Sequence, residues 1–236
     1  MEGFRWEGDH LVATLAHRAH ALFTTRRGGV SRGPFQSLNL GRTKPELEDD
    51  DPVAVAQNRA WVATAAGRPL RIANQVHGTA IATDAVALPD ADGQVTGRAD
   101  RAVTVMVADC LPVAIAGPAG VAMLHAGWRG LAGGILARGA AAVGPDGPRH
   151  AAIGPGIGAC CYQVGDEVRE AFANHPDARH GDRIDLKAIA RAQLAAVGVQ
   201  EIDDCGLCTA CAPELFFSHR RDRGVTGRQA GVAWLS

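Results

Sequence analysis

The sequence predicts an α+β fold, with mixed β-sheets flanked by helices. Three observations predict it. β-Branched and apolar runs without interruption occupy the middle of the chain. Helix candidates with recognisable caps lie on either side of them. Two of the central runs are joined by a four-residue turn, which makes them an antiparallel hairpin and argues against a purely parallel sheet. The 236 residues are read as a single domain over 1–236. A chain of that length buries roughly 70–75% of the surface its unfolded form exposes, and needs neither disulfide nor metal merely to fold.

In chain order, the acidic, proline-punctuated stretch Lys44–Pro52 reads as a loop entering a helix. Asp51 is placed to cap it, Pro52 suits its first turn, and Gly67 ends the run Val53–Ala66. Leu70 to Ile81 alternates poorly, and Gly78 within it marks a loop or bulge. Ala102–Val107 is a buried strand by its continuous apolar character, followed by strands Leu111–Ala116 and Val121–Leu124. Between these last two, Gly117-Pro118-Ala119-Gly120 fits a type I turn, with proline second and glycine fourth. Leu131–Val143 is expected as one helix and Asp166–Asn174 as another, stopped by Pro176. A further helix from Leu186 to Val197 has Asp185 as cap and Gly198 as stop. There is no internal repeat.

Composition excludes several classes of function. Lysine and arginine total 24 against 25 acidic residues, and 47% of the chain is hydrophobic. Without a basic stripe or tail the chain lacks the field of a nucleic-acid binder. No apolar run approaches the ~18 residues of a membrane span. Met1 to His10 is too charged for a signal peptide, so a cytoplasmic location is expected. Small molecules are the default partners, and oligomeric state is left open. The only serines, Ser31, Ser37, Ser218 and Ser236, lie outside any G-x-S-x-G. Neither a phosphate-binding G-x-x-x-x-G-K-[ST] nor an H-E-x-x-H occurs.

The chemistry concentrates around the hairpin. If Gly117 pairs with Gly120, Cys110 lies opposite Gly127, and His125 is two residues from Gly127. Side chains alternate with period two, so Cys110 and His125 share a face as diagonal neighbours, roughly 7–8 Å apart. A one-residue slip would separate them. His77, in Asn74-Gln-Val-His-Gly78, is the third candidate. One cysteine and two histidines with an open position make a catalytic-type zinc set, and copper takes the same donors. On spacing alone, an inert thiol and unconnected histidines remain the alternative.

The motif text goes further. Phe23-Thr-Thr-Arg-Arg-Gly-Gly-Val-Ser31, Ser37-Leu-Asn-Leu-Gly41, Asn74-Gln-Val-His-Gly78, Val107-Ala-Asp-Cys-Leu-Pro112 and His125-Ala-Gly-Trp-Arg-Gly130 run in order along the chain. Ile153-Gly-Pro155, Cys161-Tyr-Gln-Val-Gly165, Leu215-Phe-Phe-Ser218, Arg220-Arg-Asp222 and Thr226-Gly-Arg228 follow. Together they resemble the laccase-domain (YfiH-like) family, historically called multicopper polyphenol oxidoreductase. The resemblance implies a zinc or copper ion held by His77, Cys110 and His125. It also implies phosphorolysis of purine nucleosides (adenosine, inosine, guanosine and methylthioadenosine) with phosphate, alongside adenosine deamination. Copper-dependent oxidation of phenols is the older assignment and ranks second, because one metal site lacks the several coppers that reduction of dioxygen normally uses. A metal-free hydrolase using Cys110 and His125, and a non-catalytic binding protein with a structural zinc, are the other readings. Val107, where many relatives have threonine, and His219, where tyrosine is common, are departures that bear on substrate preference.

Within that reading Arg26 and Arg129 are the basic candidates for phosphate. Asn39 and Gln75 are candidates for hydrogen bonding to ribose or base, and Trp128 for stacking on a purine. Asp109 either orients a ligand histidine or caps the next segment, although alternation turns it away from Cys110. Cys205-Gly-Leu-Cys208-Thr-Ala-Cys211 has two C-x₂-C steps but no nearby fourth cysteine followed by proline. The run resembles an iron–sulfur or zinc one, but free thiols are the expectation for these three; Cys160 and Cys161 are adjacent, with no histidine nearby in sequence.

Overall fold

The central strands are buried at every position, so each must be covered on both faces, and the fold is the arrangement that does so. The computed structural model describes residues 3–41, 50–85 and 90–236. Most of the stretch Lys44–Pro52 lies outside these residues. The elements begin with β1 (Phe4–Glu7), β2 (His10–Thr14), β3 (Ala19–Phe23), α1 (Pro52–Ala66), β4 (Leu70–Ile72), β5 (Ile81–Ala82) and β6 (Gly93–Thr96). The middle of the chain gives β7 (Ala102–Val107), β8 (Leu111–Gly117), β9 (Gly120–Ala126), α2 (Trp128–Ala132), α3 (Ile135–Ala142) and β10 (His150–Ile153). The remainder gives α4 (Asp166–Ala171), β11 (Arg179–His180), β12 (Arg183–Ile184), α5 (Leu186–Ala196), β13 (Glu201–Asp204) and β14 (Gln229–Leu235).

Two six-stranded sheets form, ordered β1-β2-β3-β14-β7-β4 and β13-β10-β8-β9-β6-β5. Both are mixed. The β4–β7, β5–β6 and β10–β13 pairs are parallel and the other pairs within them antiparallel. The α+β architecture with mixed sheets is therefore the one the hairpin argument predicted.

Alternation along each strand builds four layers. In β8, Val113 and Ile115 face α3 and α5, whereas Ala114 and Ala116 face the other sheet. In β7, Val103, Val105 and Val107 face the second sheet, and Ala102 and Met106 face outward toward the α1 layer. The layers are thus α1, first sheet, second sheet, then α3 and α5. The interface between the sheets is rich in alanine (Ala13, Ala21, Ala114, Ala116, Ala152, Ala233). Residues this small let the two sheets come together without side chains of competing volume.

The caps lie where the sequence places them. The Asp51 side chain accepts a hydrogen bond from the Val53 N–H, and Gly67 closes α1 in the left-handed region. Asp185 accepts from the N–H groups of Lys187 and Ala188 at the start of α5. Two helices differ from expectation. The helix expected over Leu131–Val143 starts earlier, at Trp128, and is broken in two at Gly133–Gly134, where Gly134 adopts φ +82°. A Cβ on Gly133 would come within 2.7 Å of Thr79 Cγ2, so the break lets the segment approach the His77 loop. The helix expected to reach Asn174 ends at Ala171. Phe172 turns into the core, and turn hydrogen bonds carry the chain on to Pro176.

Asn58, buried on α1, fixes the loop after β3. Its Nδ2 lies within hydrogen-bonding distance of Ser31 Oγ, Ser37 O and Asn39 O, and its Oδ1 accepts from the Val30 N–H. Asn58→Ala takes a partner from the Val30 N–H, Ser31 Oγ and Asn39 O, while Ser37 O keeps the Ser31 N–H, and should cost about 1–3 kcal/mol. The midpoint of denaturant unfolding checks this, with the slope unchanged.

Candidate functional site

β8 and β9 pair with Leu111 opposite Ala126 and Gly117 opposite Gly120, the register the turn implies. Cys110 and His125 accordingly emerge together at one end of the sandwich. Gly127 faces Cys110, and a Cβ there would stand 2.8 Å from Cys110 Sγ and 3.5 Å from His77 Cδ2. The glycine keeps that space open. His77 arrives from the loop between β4 and β5, with its backbone at φ +59°, a conformation that non-glycine residues hold only when their surroundings impose it. The donor atoms of His77, Cys110 and His125 all lie within 4.8 Å of one another. The two imidazole rings meet edge to face, 4.8 Å between centroids.

What imposes the His77 conformation is Asp92, which sequence reasoning missed. Asp92 is fully buried. Its Oδ1 lies 2.7 Å from His125 Nδ1 and accepts from the His77 N–H, while its Oδ2 accepts from the N–H groups of Val76 and Gly78. One carboxylate therefore sets both histidines. It fixes His125 so that Nε2 faces the cleft, and it curls residues 76–78 so that the His77 side chain projects beside it. Burial alone would push the Asp92 carboxyl up, but His125 and the Gly78 and Val76 amides hold it below the usual carboxylate range.

The charge state follows. Burial pushes the Cys110 thiol up, but the His125 imidazolium and then His77 outweigh this and bring it to about 6. For His125, burial is again the opposing effect, and the Cys110 thiolate and Asp92 raise it to about 9. Between these values the pair is thiolate and imidazolium in the protein without a metal. Two nitrogens and a thiolate at this spacing, with room kept by Gly127, can together hold one ion of the zinc or copper kind.

The three donors open onto a cleft of about 750 Å³ whose walls include Asn39, Gln75, Tyr162, His219, Arg220 and Arg228. Of the expected substrate contacts, Asn39 and Gln75 line this cleft. Their amides, however, are committed within the protein, that of Gln75 to backbone and that of Asn39 to backbone and the Asp50 carboxylate. Gln75 Nε2 donates to Met106 O and Oε1 accepts from the Met106 N–H. Asn39 Oδ1 accepts from the N–H groups of Gly41 and Arg228, and Nδ2 donates to Asp50. Both shape the wall.

Arg26 and Arg129 are not among the residues lining that cleft. Arg26 Nε and Nη1 donate to Gln36 O and Pro213 O, and its guanidinium packs over Phe217. Arg129 lies over the Trp128 ring, 3.8 Å from Glu167. Trp128 itself packs against the helix-side core. The cations on the cleft wall are instead Arg220 and Arg228. Both stand in segments the sequence singles out, Arg220-Arg-Asp222 and Thr226-Gly-Arg228, so position in a motif was the available signal.

Asp109 does not orient a ligand histidine. At φ +91°, it accepts from Thr209 Oγ1 at 2.6 Å and from the Arg220 N–H at 2.7 Å. It ties the strand end that carries Cys110 to the loops carrying Thr209 and Arg220. Among the described residues no helix is long and apolar enough to cross a membrane.

Comparisons with known proteins converge. Residues 20–236 match the family model described as multi-copper polyphenol oxidoreductase laccase. Purine nucleoside phosphorylase YfiH of Escherichia coli is 39% identical, over 91% of this chain and 93% of that protein. A purine nucleoside phosphorylase of Pseudomonas aeruginosa is also 39% identical, over 92% and 94%. A crystal structure of a Neisseria meningitidis protein superposes with a TM-score of 0.87 at 39% identity, covering 97% of this chain and all of that one. The crystal structure of YlmD from Geobacillus stearothermophilus gives 0.85 at 34% identity, covering 99% and 98%.

Iodoacetamide alkylation of Cys110 in chelator-stripped protein, followed by peptide mass spectrometry across pH, tests the electrostatics. The thiolate is the reactive form, so the rate should be full above a midpoint near 6 and fall as the pH drops through it. Asp92→Asn removes the charge that sustains the imidazolium, so the midpoint should rise. Each unit of rise lowers the rate at low pH roughly tenfold.

Proposed function

This chain belongs to the multi-copper polyphenol oxidoreductase laccase family, and from that premise we infer that it is a metal-dependent purine nucleoside phosphorylase with adenosine deamination as a second reaction. The observation that carries the reading is the meeting of His77, Cys110 and His125 at the mouth of a cleft with arginines on its wall. The names of the relatives supply the substrate class. The cleft volume falls within the ~300–1,000 Å³ usual for small-molecule sites.

Phosphorolysis forms a bond from a phosphate oxygen to C1′ of the ribose as the C1′–N9 bond breaks. The electron pair leaves on the purine, which takes up a proton. The chain must therefore offer positive charge to phosphate and a donor to the purine. Arg220 and Arg228 supply the first, and the guanidinium fork suits phosphate geometry. Tyr162 is placed for the second. Burial and the Cys110 thiolate push its phenol up to about 12, so it remains an O–H donor at neutral pH. Arg220 lies over its ring, 5.3 Å from the centroid.

His77, Cys110 and His125 would hold the zinc or copper, with a position left open. A metal there supplies Lewis acidity and brings the ionisation of water down toward neutral pH, which is what replacement of the adenosine 6-amino group asks for. Around it, the chain's part is positional. Asp92 fixes the ring of His125 and the loop of His77, Gly127 keeps the space clear, and Gln75 and Asn39 hold the adjoining wall.

Purified protein given adenosine and phosphate should release adenine and ribose 1-phosphate, and inosine by deamination. Cys110→Ala and His77→Ala should each lower both products by more than about 100-fold. Dioxygen uptake with a phenol, in place of nucleoside turnover, would overturn the reading in favour of a copper oxidase. Tyr162→Phe, which deletes one hydrogen bond, should lower kcat/KM for phosphorolysis by about tenfold.

A further inference from the structure

Five of the six cysteines are used by nothing above, and four of those five are not dispersed. β10 and β13 are parallel neighbours, so the loops that follow them leave the same end of the second sheet. The first carries Cys160 and Cys161, the second Cys208 and Cys211, about fifty residues on in the chain. The four sulfurs all lie within 4.8 Å of one another. Cys211 Sγ is 3.4 Å from the sulfurs of both Cys160 and Cys161. No disulfide joins any of them.

Around a single tetrahedral zinc, with Zn–S of about 2.3 Å, the sulfurs stand about 3.8 Å apart. The observed spacing brackets that figure. It is too tight for a cluster of several irons, whose cysteines must sit outside a cage of iron and sulfide. The surroundings are also those of a thiolate site. The Cys208 sulfur accepts N–H bonds from Gly158, at 3.2 Å, and from Ala210 and Cys211, its own C-x₂-C step turning back upon it. Such donors offset the negative charge that four thiolates carry in excess of a divalent ion. Gly158 allows the approach, since a Cβ there would stand 3.2 Å from Cys160 Sγ and 3.3 Å from Cys208 Cβ. Thiols alone are weak hydrogen-bonding partners, and would be poor at holding two loops together.

We propose that Cys160, Cys161, Cys208 and Cys211 form a second metal site, a closed four-thiolate shell for one zinc ion, distinct from the site at Cys110. Its role is structural. The loops it would join bear Tyr162, which lines the cleft, and Thr209, which holds Asp109 beside Cys110. A tetrahedral S₄ zinc has no vacant position for substrate, so this ion would brace the cleft wall without entering the reaction. The proposal stands whether or not the nucleoside reading does.

The test empties the first site. His77→Ala/Cys110→Ala protein, prepared under reducing conditions with zinc and desalted, should retain one zinc per chain, with X-ray absorption showing four sulfurs at about 2.3 Å. Adding Cys211→Ala should take the content from one to zero with the far-ultraviolet circular dichroism unchanged, because Cys211 is exposed and its sulfur contributes little packing. Absence of zinc from the double variant, a shell containing nitrogen or oxygen, a disulfide among the four cysteines, or zinc retained by a folded triple variant would each overturn the proposal. Should the triple variant not fold, the absorption spectrum of the double variant decides alone.

Discussion

The site depends on one buried carboxylate. Asp92 is reached by three consecutive backbone N–H groups, from Val76 to Gly78, and by the His125 ring. A charge buried this deeply is tolerable only when its oxygens are satisfied. The same four contacts bend the loop that presents His77 and fix the ring that faces Cys110. Taken away, they would release the loop from its left-handed conformation and leave His125 free to turn, so that only Cys110 would still be held by the strands.

The frame for that carboxylate is the four-layer packing. Because β8 and β9 are covered on both faces, their register is fixed along seven residue pairs, and the ends of the hairpin are placed as rigidly as its middle. Asp92 immediately precedes β6, the strand that pairs with β9, and the His125 N–H donates to the Asp92 carbonyl at 2.7 Å. Backbone and side chain of Asp92 thus both hold His125. His125 lies on β9, and Cys110 and Asp92 immediately precede β8 and β6, while loops farther from the strands supply His77, Tyr162 and Arg220. This division is common where a scaffold fixes the reacting centre and loops shape the cleft.

The two cysteine-bearing centres arise differently. Cys110 joins His125 through a hairpin, a local event whose pairing can be counted off from Gly117 and Gly120. Cys160 and Cys161 meet Cys208 and Cys211 only because β13 lies beside β10, parallel and with α4, β11, β12 and α5 intervening in sequence. Read along the chain, Cys205-x₂-Cys208-x₂-Cys211 groups three cysteines of which the fold brings only Cys208 and Cys211 together with Cys160 and Cys161. Cys205 is buried at the edge of the core, near Lys187, and the partners of the other two come from a separate loop.

What short-range physics controls was legible in the residues alone. Capped helices at Asp51 and Asp185, strands covered on both faces, the hairpin register, and hence the shared face of Cys110 and His125, all follow from spacing and turn chemistry. His77 was a candidate without a geometric argument, and the motif resemblance joined it to the other two. The rest emerged with the packing of the folded chain. Asp92 carries no local signature, since a carboxylate that bonds three amides sixteen to fourteen residues away reads as any loop aspartate. Arg26 and Arg129 looked available because sequence lists donors without their acceptors, and folding brought Gln36 O, Pro213 O, Trp128 and Glu167 to them. Alternation along one strand is local and can be read directly. Which loops come together at the end of a sheet depends on strand order, and that is settled by packing of the whole chain.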